Sequence, residues 1–147
     1  MSDSSISILT QHIKAQLGHL AVLREYRQSS DNPYFKSALN FAIEDAQEAI
    51  ARVASRLRQL GQPLLDQTLD EAAEKHLRQS RSRRSLEDKL KFVHHGLKYQ
   101  LEWYGDRLKE LKDDADSQAT FVALAEQTRV RLERWENLMK ELKVPMD

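Results

Sequence analysis

The chain has 147 residues, no cysteine, and 23 lysines and arginines balanced by 23 aspartates and glutamates. The absence of cysteine excludes disulfides and thiolate metal ligands and is typical of a cytoplasmic protein, while the zero net charge argues against a broad face for nucleic acid or membrane. With only 4 glycines and 3 prolines and 31% charged residues, the composition predicts one all-α domain, residues 1–147, built from long solvated helices.

The first two predicted helices follow each other closely. The first, at about 5–29, has apolar residues at three- and four-residue spacing, which form one face: Ile6, Leu9, Ile13, Leu17, Leu20 and Leu23. Asn32 is expected to cap the second helix, at about 33–60, and Pro33 fits its first position. Gly61 is expected to end it in a left-handed conformation. Its apolar face consists of Phe35, Leu39, Ala42, Ala46, Ala49, Val53, Leu57 and Leu60.

The last two predicted helices are also joined by a short polar turn. One runs from about 86 to 112 after Ser85 as N-cap, and the other from about 118 to 142. The apolar face of the first consists of Leu90, Val93, Leu97, Leu101, Tyr104, Leu108 and Leu111. That of the second consists of Phe121, Leu124, Thr128, Leu132, Trp135, Met139 and Leu142. Four faces of similar length predict an antiparallel four-helix bundle.

The connection between the second and third of these helices is much longer. It covers residues 61–84, about 24 residues, whereas the other two connections are only a few residues long. A chain of this length can run back along a whole helix, so the second and third helices are expected to be parallel. Thr68 to Glu71 resembles a capping box and predicts a short helix at 69–77 within this crossover.

The order of short, long and short connections, with Leu60-Gly61-Gln62-Pro63 at the end of the second helix, resembles the ferritin-like superfamily. The resemblance implies a ferritin-like topology with one long crossover. Members with a di-iron site use Glu from two helices and Glu-x-x-His from the other two. None of the five histidines follows an acidic residue by three positions, and the family's motif falls on Asp45 and Glu48 in the second helix and on His19 in the first. The resemblance therefore implies a degenerate member without a recognisable di-iron site.

Two functional hypotheses follow. The first is a non-catalytic protein without a cofactor, because no nucleophile elbow, phosphate loop or zinc-protease motif occurs. This protein would act through association as a homodimer, and an aromatic stripe described below is the sequence support for that association. The second is a metal-binding protein or oxidoreductase with an atypical site for iron, manganese or zinc. Its candidate ligands are His12, His19, Asp45 and His94. The competing interpretation of these histidines is that they hydrogen bond to neighbouring helices.

An aromatic stripe (Phe92, Tyr99 and Trp103) lies about opposite the apolar face of its helix, and Tyr34 and Phe41 lie opposite that of the second helix. Such side chains need a cover, so these five residues are candidate interface residues. Two covers are open at this stage: a second subunit, or the leucines of the crossover. Those leucines are Leu64, Leu65, Leu69 and Leu77.

Basic residues form the last candidate site, at the end of the crossover. Arginines in this position could bind phosphate or nucleic acid through charge-assisted hydrogen bonds. The candidates are Arg78, Arg81, Arg83 and Arg84. No aromatic residue is interleaved to stack bases, and acidic residues precede them, so a self-neutralising solvated connection is the favoured interpretation and nucleic acid a remote alternative.

Overall fold

In a computed structural model, which describes residues 2–63 and 65–146, the chain forms five α-helices and no strand within those residues. The helices are α1 (Ser2–Ser29), α2 (Pro33–Gln59), α3 (Glu71–Arg81), α4 (Leu86–Glu110) and α5 (Ala115–Glu141). The all-α class predicted from composition is confirmed. None of the five is long and apolar enough to cross a membrane.

The residues predicted to begin α2 and α4 and to end α2 have these roles in the structure. The Asn32 side chain accepts a hydrogen bond from the Phe35 backbone N–H at 3.0 Å, with Pro33 as the first residue of α2. The Ser85 side chain caps α4 in the same way. Gly61 has a φ of 83°, the left-handed conformation that ends α2.

Two predicted boundaries are wrong, and in both helices an aspartate acts as the N-cap. The crossover helix covers Glu71–Arg81 rather than 69–77, since Asp70, not Thr68, accepts from the backbone N–H of Ala73 at 2.8 Å. The last helix begins at Ala115 rather than 118, since Asp114 accepts from the Ser117 N–H at 3.1 Å. In both cases the carboxylate of the residue directly before the helix supplies the cap.

The four long helices pack in a ring, in which α1 contacts α2 and α4, and α5 contacts the same two helices. Residues 30–32 join α1 to α2, which makes this packed pair antiparallel. Helix α4 also runs antiparallel to α1. His12 Nε2 near the start of α1 lies 2.7 Å from the hydroxyl of Tyr104 near the end of α4, and Ser29 Oγ at the end of α1 lies 3.4 Å from Lys89 Nζ near the start of α4. Since α2 and α4 both oppose α1, they run in the same direction.

The crossover lies along α1. Lys14 Nζ donates to the carbonyl oxygen of Asp66 at 3.2 Å, and the Tyr26 hydroxyl donates to the carbonyl oxygen of Ser80 at 2.8 Å. The chain therefore travels from the level of Lys14 to that of Tyr26, which is the return path from the end of α2 to the start of α4.

The predicted apolar faces form the core. On α2, every predicted position from Phe35 to Leu57 is buried, and Trp135 of α5 is buried with its Nε1 donating to the Leu90 carbonyl oxygen at 3.0 Å. The buried side chains divide into two apolar clusters, one around Phe35 and Trp135 and one around Phe121. The side chains between these clusters are polar.

Candidate binding cleft and the polar layer beside it

The polar layer lies midway along the four long helices, around a cavity of about 30 Å³. A cavity of this size holds about one water molecule. Its polar lining comes from all four helices and consists of Gln16, His19, Asp45, Gln100, Tyr104, Gln127, Thr128 and Arg131.

The strongest interaction of the polar layer is an ion pair between α2 and α5. Arg131 Nε donates to Asp45 Oδ2 at 2.7 Å, a second guanidinium nitrogen donates to the same oxygen, and Gln127 Nε2 donates to Oδ1 at 3.3 Å. The Arg131 side chain is only 9% exposed. Sequence reasoning missed Arg131, although it stands three residues after Thr128 and four before Trp135, which places it on the buried face.

Three of the four predicted metal ligands interact with separate partners. Asp45 is bound by the Arg131 guanidinium, His94 Nε2 lies 2.8 Å from Glu136 Oε2, and His12 hydrogen bonds to Tyr104. In residues 2–63 and 65–146, no group of three or more His, Asp or Glu side chains could hold a metal ion. A guanidinium in this layer also repels a divalent cation. These residues do not fit the di-iron centre that members of the ferritin-like superfamily hold.

A larger cleft of about 400 Å³ opens beside the polar layer, between α1, α3 and α4. Three residues on α1 form its buried floor: His12, Gln16 and His19. The wall from α4 is aromatic, with Tyr99, Trp103 and Tyr104. The facing wall from α1 and α3 is built largely of small residues, with Ala15, Gly18, Ala72 and Ala73, and His76 stands among them.

His12 is one of the residues that line this cleft, and its ring is in contact with three aromatic rings. Its ring centroid is 6.0 Å from Trp103, 5.5 Å from Tyr104 and 5.4 Å from Phe121. Nε2 is hydrogen bonded to the Tyr104 hydroxyl at 2.7 Å, whereas Nδ1 is buried and has no hydrogen-bond partner among the described residues.

Burial keeps the cleft histidines neutral. Loss of solvation lowers the pKa of His12 to about 3. The pKa of His19 falls to about 4, mainly through burial and secondly through the nearby His76. The pKa of His76 is lowered by burial too, and its ring stacks on Phe92 at 4.9 Å. A buried imidazolium without a counter-charge is unfavourable, so at pH 7 none of the three carries a proton charge.

The small-residue wall permits a close approach of α3 to α1. A Cβ added at Gly18 would lie 2.9 Å from the Ala73 Cβ and 3.1 Å from its Cα. Only glycine allows this separation. The predicted crossover helix thus forms one side of the cleft, a role that its sequence did not indicate.

The predicted aromatic stripe does not act as one surface. Phe92 is covered from within the chain, by the His76 ring and by the Arg83 guanidinium, which lies 5.3 Å from the ring centroid. Trp103 is half-buried, with its ring 5.6 Å from that of Phe121. Tyr99 alone is exposed, at 67%, on the wall of the cleft.

The other two interface candidates, Tyr34 and Phe41, are 65% and 53% exposed on α2. That helix and α4 each pack against α1 and α5, so these two side chains do not join the aromatic stripe in a single surface. Of the crossover leucines, Leu77 packs against the cluster around Phe35, and Leu65 and Leu69 pack against the cluster around Phe121. Leu64 lies outside the described residues.

The four crossover arginines differ in whether they contact other parts of the chain. Arg81 forms an ion pair with Glu25 at 2.7 Å, and Arg83 covers Phe92. Arg78 and Arg84 are exposed. Two of the four predicted anion-binding groups are therefore used within the chain.

Comparison of the chain with profiles of known protein families, with curated proteins and with solved structures finds no match.

Proposed function

We propose that this protein is a non-catalytic, ferritin-like four-helix bundle that binds a small molecule in the cleft between α1, α3 and α4. The observation that carries the proposal is the cleft itself, which has an aromatic wall, a wall of small side chains and three buried polar side chains of α1 as its floor. Its volume of about 400 Å³ is typical of ligand sites.

The ferritin-like part of the proposal has its support in the direction of the helices. Helices α2 and α4 run parallel and are joined by a crossover along α1, and each packs against both α1 and α5. One long crossover between two antiparallel pairs is the arrangement of ferritin-like bundles.

The non-catalytic part rests on the chemistry of the two groups of polar residues. Arg131 binds Asp45 in the polar layer, which removes the candidate carboxylate ligand from metal chemistry. A general base works best with a pKa near the working pH, whereas burial lowers the pKa of His12 to about 3 and that of His19 to about 4. These histidines are therefore suited to hydrogen bonding and poorly suited to proton transfer.

Blocking the cleft tests the proposal. Gly96 lines the cleft, and a Cβ there would meet no described atom within 4 Å, so Gly96→Leu should fill the cleft without disturbing α4. Gly105→Leu is the matched control, since Gly105 is equally open on the same helix and is not among the lining residues.

The measurement is a thermal-shift screen of a small-molecule library, with native mass spectrometry of protein purified without a metal-affinity tag. Ligands should raise the melting temperature of the wild type and of Gly105→Leu but not of Gly96→Leu. An empty screen for the wild type, or hits that persist in Gly96→Leu, would contradict the proposed site.

A further inference from the structure

We infer that the ligand of this cleft is an uncharged molecule with a carboxamide-type group that hydrogen bonds to Gln16, His19 and Gln100. A carboxamide-type group presents a donor and an acceptor side by side, as a primary amide or a lactam does. The inference rests on the proposed function and specifies its ligand class. It follows from polar side chains that the fold buries without a partner, from the charges around the cleft and from its apolar walls.

Four polar side chains lie between the cleft and the smaller cavity of the polar layer, because they line both. They are Gln16, His19, Gln100 and Tyr104. We call the part of the cleft that they line its inner end. The smaller cavity has a volume of only about 30 Å³, so the side chains around it lie close to one another. A ligand group that reaches the inner end therefore meets several of them together.

Two of these four side chains are buried without a hydrogen bond. Gln16 is 4% exposed and His19 is 7% exposed, and neither side chain hydrogen bonds to another described residue. The sealed side-chain atoms without a partner in the described chain are His12 Nδ1 and Arg107 Nε, so the polar atoms of Gln16 and His19 retain contact with a cavity. Tyr104 differs, because its hydroxyl is hydrogen bonded to His12 at 2.7 Å. Buried polar groups need hydrogen bonds, so Gln16 and His19 require a partner from outside the chain, either water or a ligand.

The chemistry of these side chains selects a group that both donates and accepts. The amides of Gln16 and Gln100 each present an acceptor oxygen and an NH₂ donor, and a neutral imidazole presents one nitrogen of each kind. A ligand that offers only acceptors leaves the acceptors of the inner end unpaired, and one that offers only donors leaves its donors unpaired. A carboxamide pairs with both kinds.

The surroundings of the cleft do not compensate a charge. Among the described lining residues, Asp70 alone carries a formal charge, and it is exposed and already caps α3. The cations nearby have partners of their own, since Arg131 is paired with Asp45 and Arg107 with Glu110. The histidines of the cleft are neutral at pH 7 for the reasons given above. An ion moved from water into this cleft would lose solvation without a compensating partner.

The other walls of the cleft are suited to an apolar body. Helix α4 contributes the rings of Tyr99 and Trp103, and the facing wall has the small residues of α1 and α3 described above. Burial of apolar ligand atoms against these walls is favourable, and it requires no hydrogen bond. The ligand should therefore have its polar group at the inner end and its apolar part against the aromatic wall.

Four benzene derivatives of nearly equal shape test the inference by NMR titration of the ¹⁵N-labelled protein at pH 7. Benzamide carries the carboxamide, acetophenone has a methyl group in place of its NH₂, benzoate is an anion and benzamidine is a cation. Benzamide should bind about tenfold more tightly than each of the other three, the usual effect of one or two hydrogen bonds to buried groups. The side-chain NH₂ signals of Gln16 and Gln100 should shift during the benzamide titration.

Three variants connect this preference to the inner end. Gln16→Met removes an amide at nearly constant length, and His19→Leu removes the imidazole. Each should reduce the ratio of benzamide to acetophenone affinity from about tenfold to about threefold or less. Gln28→Met, at an exposed position of α1 that does not line the cleft, is the control and should keep the tenfold ratio. Circular dichroism verifies that all three variants are folded.

Each outcome decides between the claims. Equal binding of benzamide and acetophenone to the wild type overturns the carboxamide requirement while the cleft remains a binding site. Tightest binding of benzoate or benzamidine overturns the uncharged class. An unchanged ratio in both Gln16→Met and His19→Leu overturns the assignment to these side chains. If none of the four probes binds, the ligand class is wrong, and if the library screen is also empty the proposed function fails with it.

Discussion

Replacing Gly18 by alanine is a direct perturbation of the contact that holds α3 against α1. The added Cβ would lie 2.9 Å from the Ala73 Cβ and 3.1 Å from the Ala73 Cα, against ordinary carbon separations of ~3.5–4.0 Å. The second of these atoms belongs to the backbone, so a side-chain rotation cannot relieve the overlap. We expect α3 to move away from α1.

Two opposing terms set the size of the effect. Alanine is favoured over glycine within a helix by ~1 kcal/mol, and overpacking of a close contact costs ~1–3 kcal/mol. Gly18→Ala should therefore lower the free energy of unfolding by ~0–2 kcal/mol. Gly105→Ala isolates the first term, because a Cβ at that position would meet no described atom within 4 Å, and it should raise the free energy of unfolding by ~1 kcal/mol.

Urea unfolding followed by circular dichroism measures both variants, and the difference between them should be ~1–3 kcal/mol. Limited proteolysis provides a second readout, since a displaced α3 should expose residues 65–70 to faster cleavage in Gly18→Ala alone. If Gly18→Ala is as stabilising as Gly105→Ala and is cleaved no faster, α3 does not dock as closely as these distances require.

Three further predictions concern charge and association. Burial lowers the pKa of His12 to about 3 and that of His19 to about 4, so below pH ~6.5 the unfolded state binds more protons than the folded state. The free energy of unfolding should therefore fall between pH 7 and pH 5 by up to ~1.4 kcal/mol per pH unit for each histidine. Urea midpoints measure this slope, which should be shallower in His12→Phe; an unchanged slope would place the titration elsewhere. Arg131→Met leaves the partly buried Asp45 carboxylate without its guanidinium and should destabilise the fold by ~2–3 kcal/mol in the same assay, whereas adding Asp45→Leu should recover most of that loss. If the protein is the homodimer that the sequence analysis favoured, Tyr34→Ser should shift sedimentation toward a monomer, and an unaltered sedimentation coefficient would remove Tyr34 from the interface.

Local signals were enough to predict where most helices begin and end. The caps by Asn32 and Ser85 and the left-handed Gly61 depend on atoms three or four residues away, so the sequence contains all the partners. Where two acidic or hydroxyl residues compete for the same role, as Thr68 and Asp70 do, the choice depends on where the loop places each side chain. The crossover helix was therefore predicted with the wrong bounds.

Apolar periodicity was likewise enough to predict which face of each long helix is buried. Periodicity reports the angle of a residue around its own helix, and the faces predicted on α2 and α5 are those that enter the core. It carries no information on how far apart neighbouring helices lie or which side chains meet. Asp45 was therefore predicted to be a possible metal ligand, since its partner Arg131 stands 86 positions later in the chain.

Only the tertiary structure decided that a cleft exists. Its volume depends on the path of the crossover and on the close contact of Gly18 with Ala73, and no pattern within α1 or α3 specifies either. The cover of Phe92 by His76 and Arg83 has the same origin, since it joins the crossover to α4. Separations of this kind are set by how several helices pack at once, whereas a helix face is set by the order of its own residues.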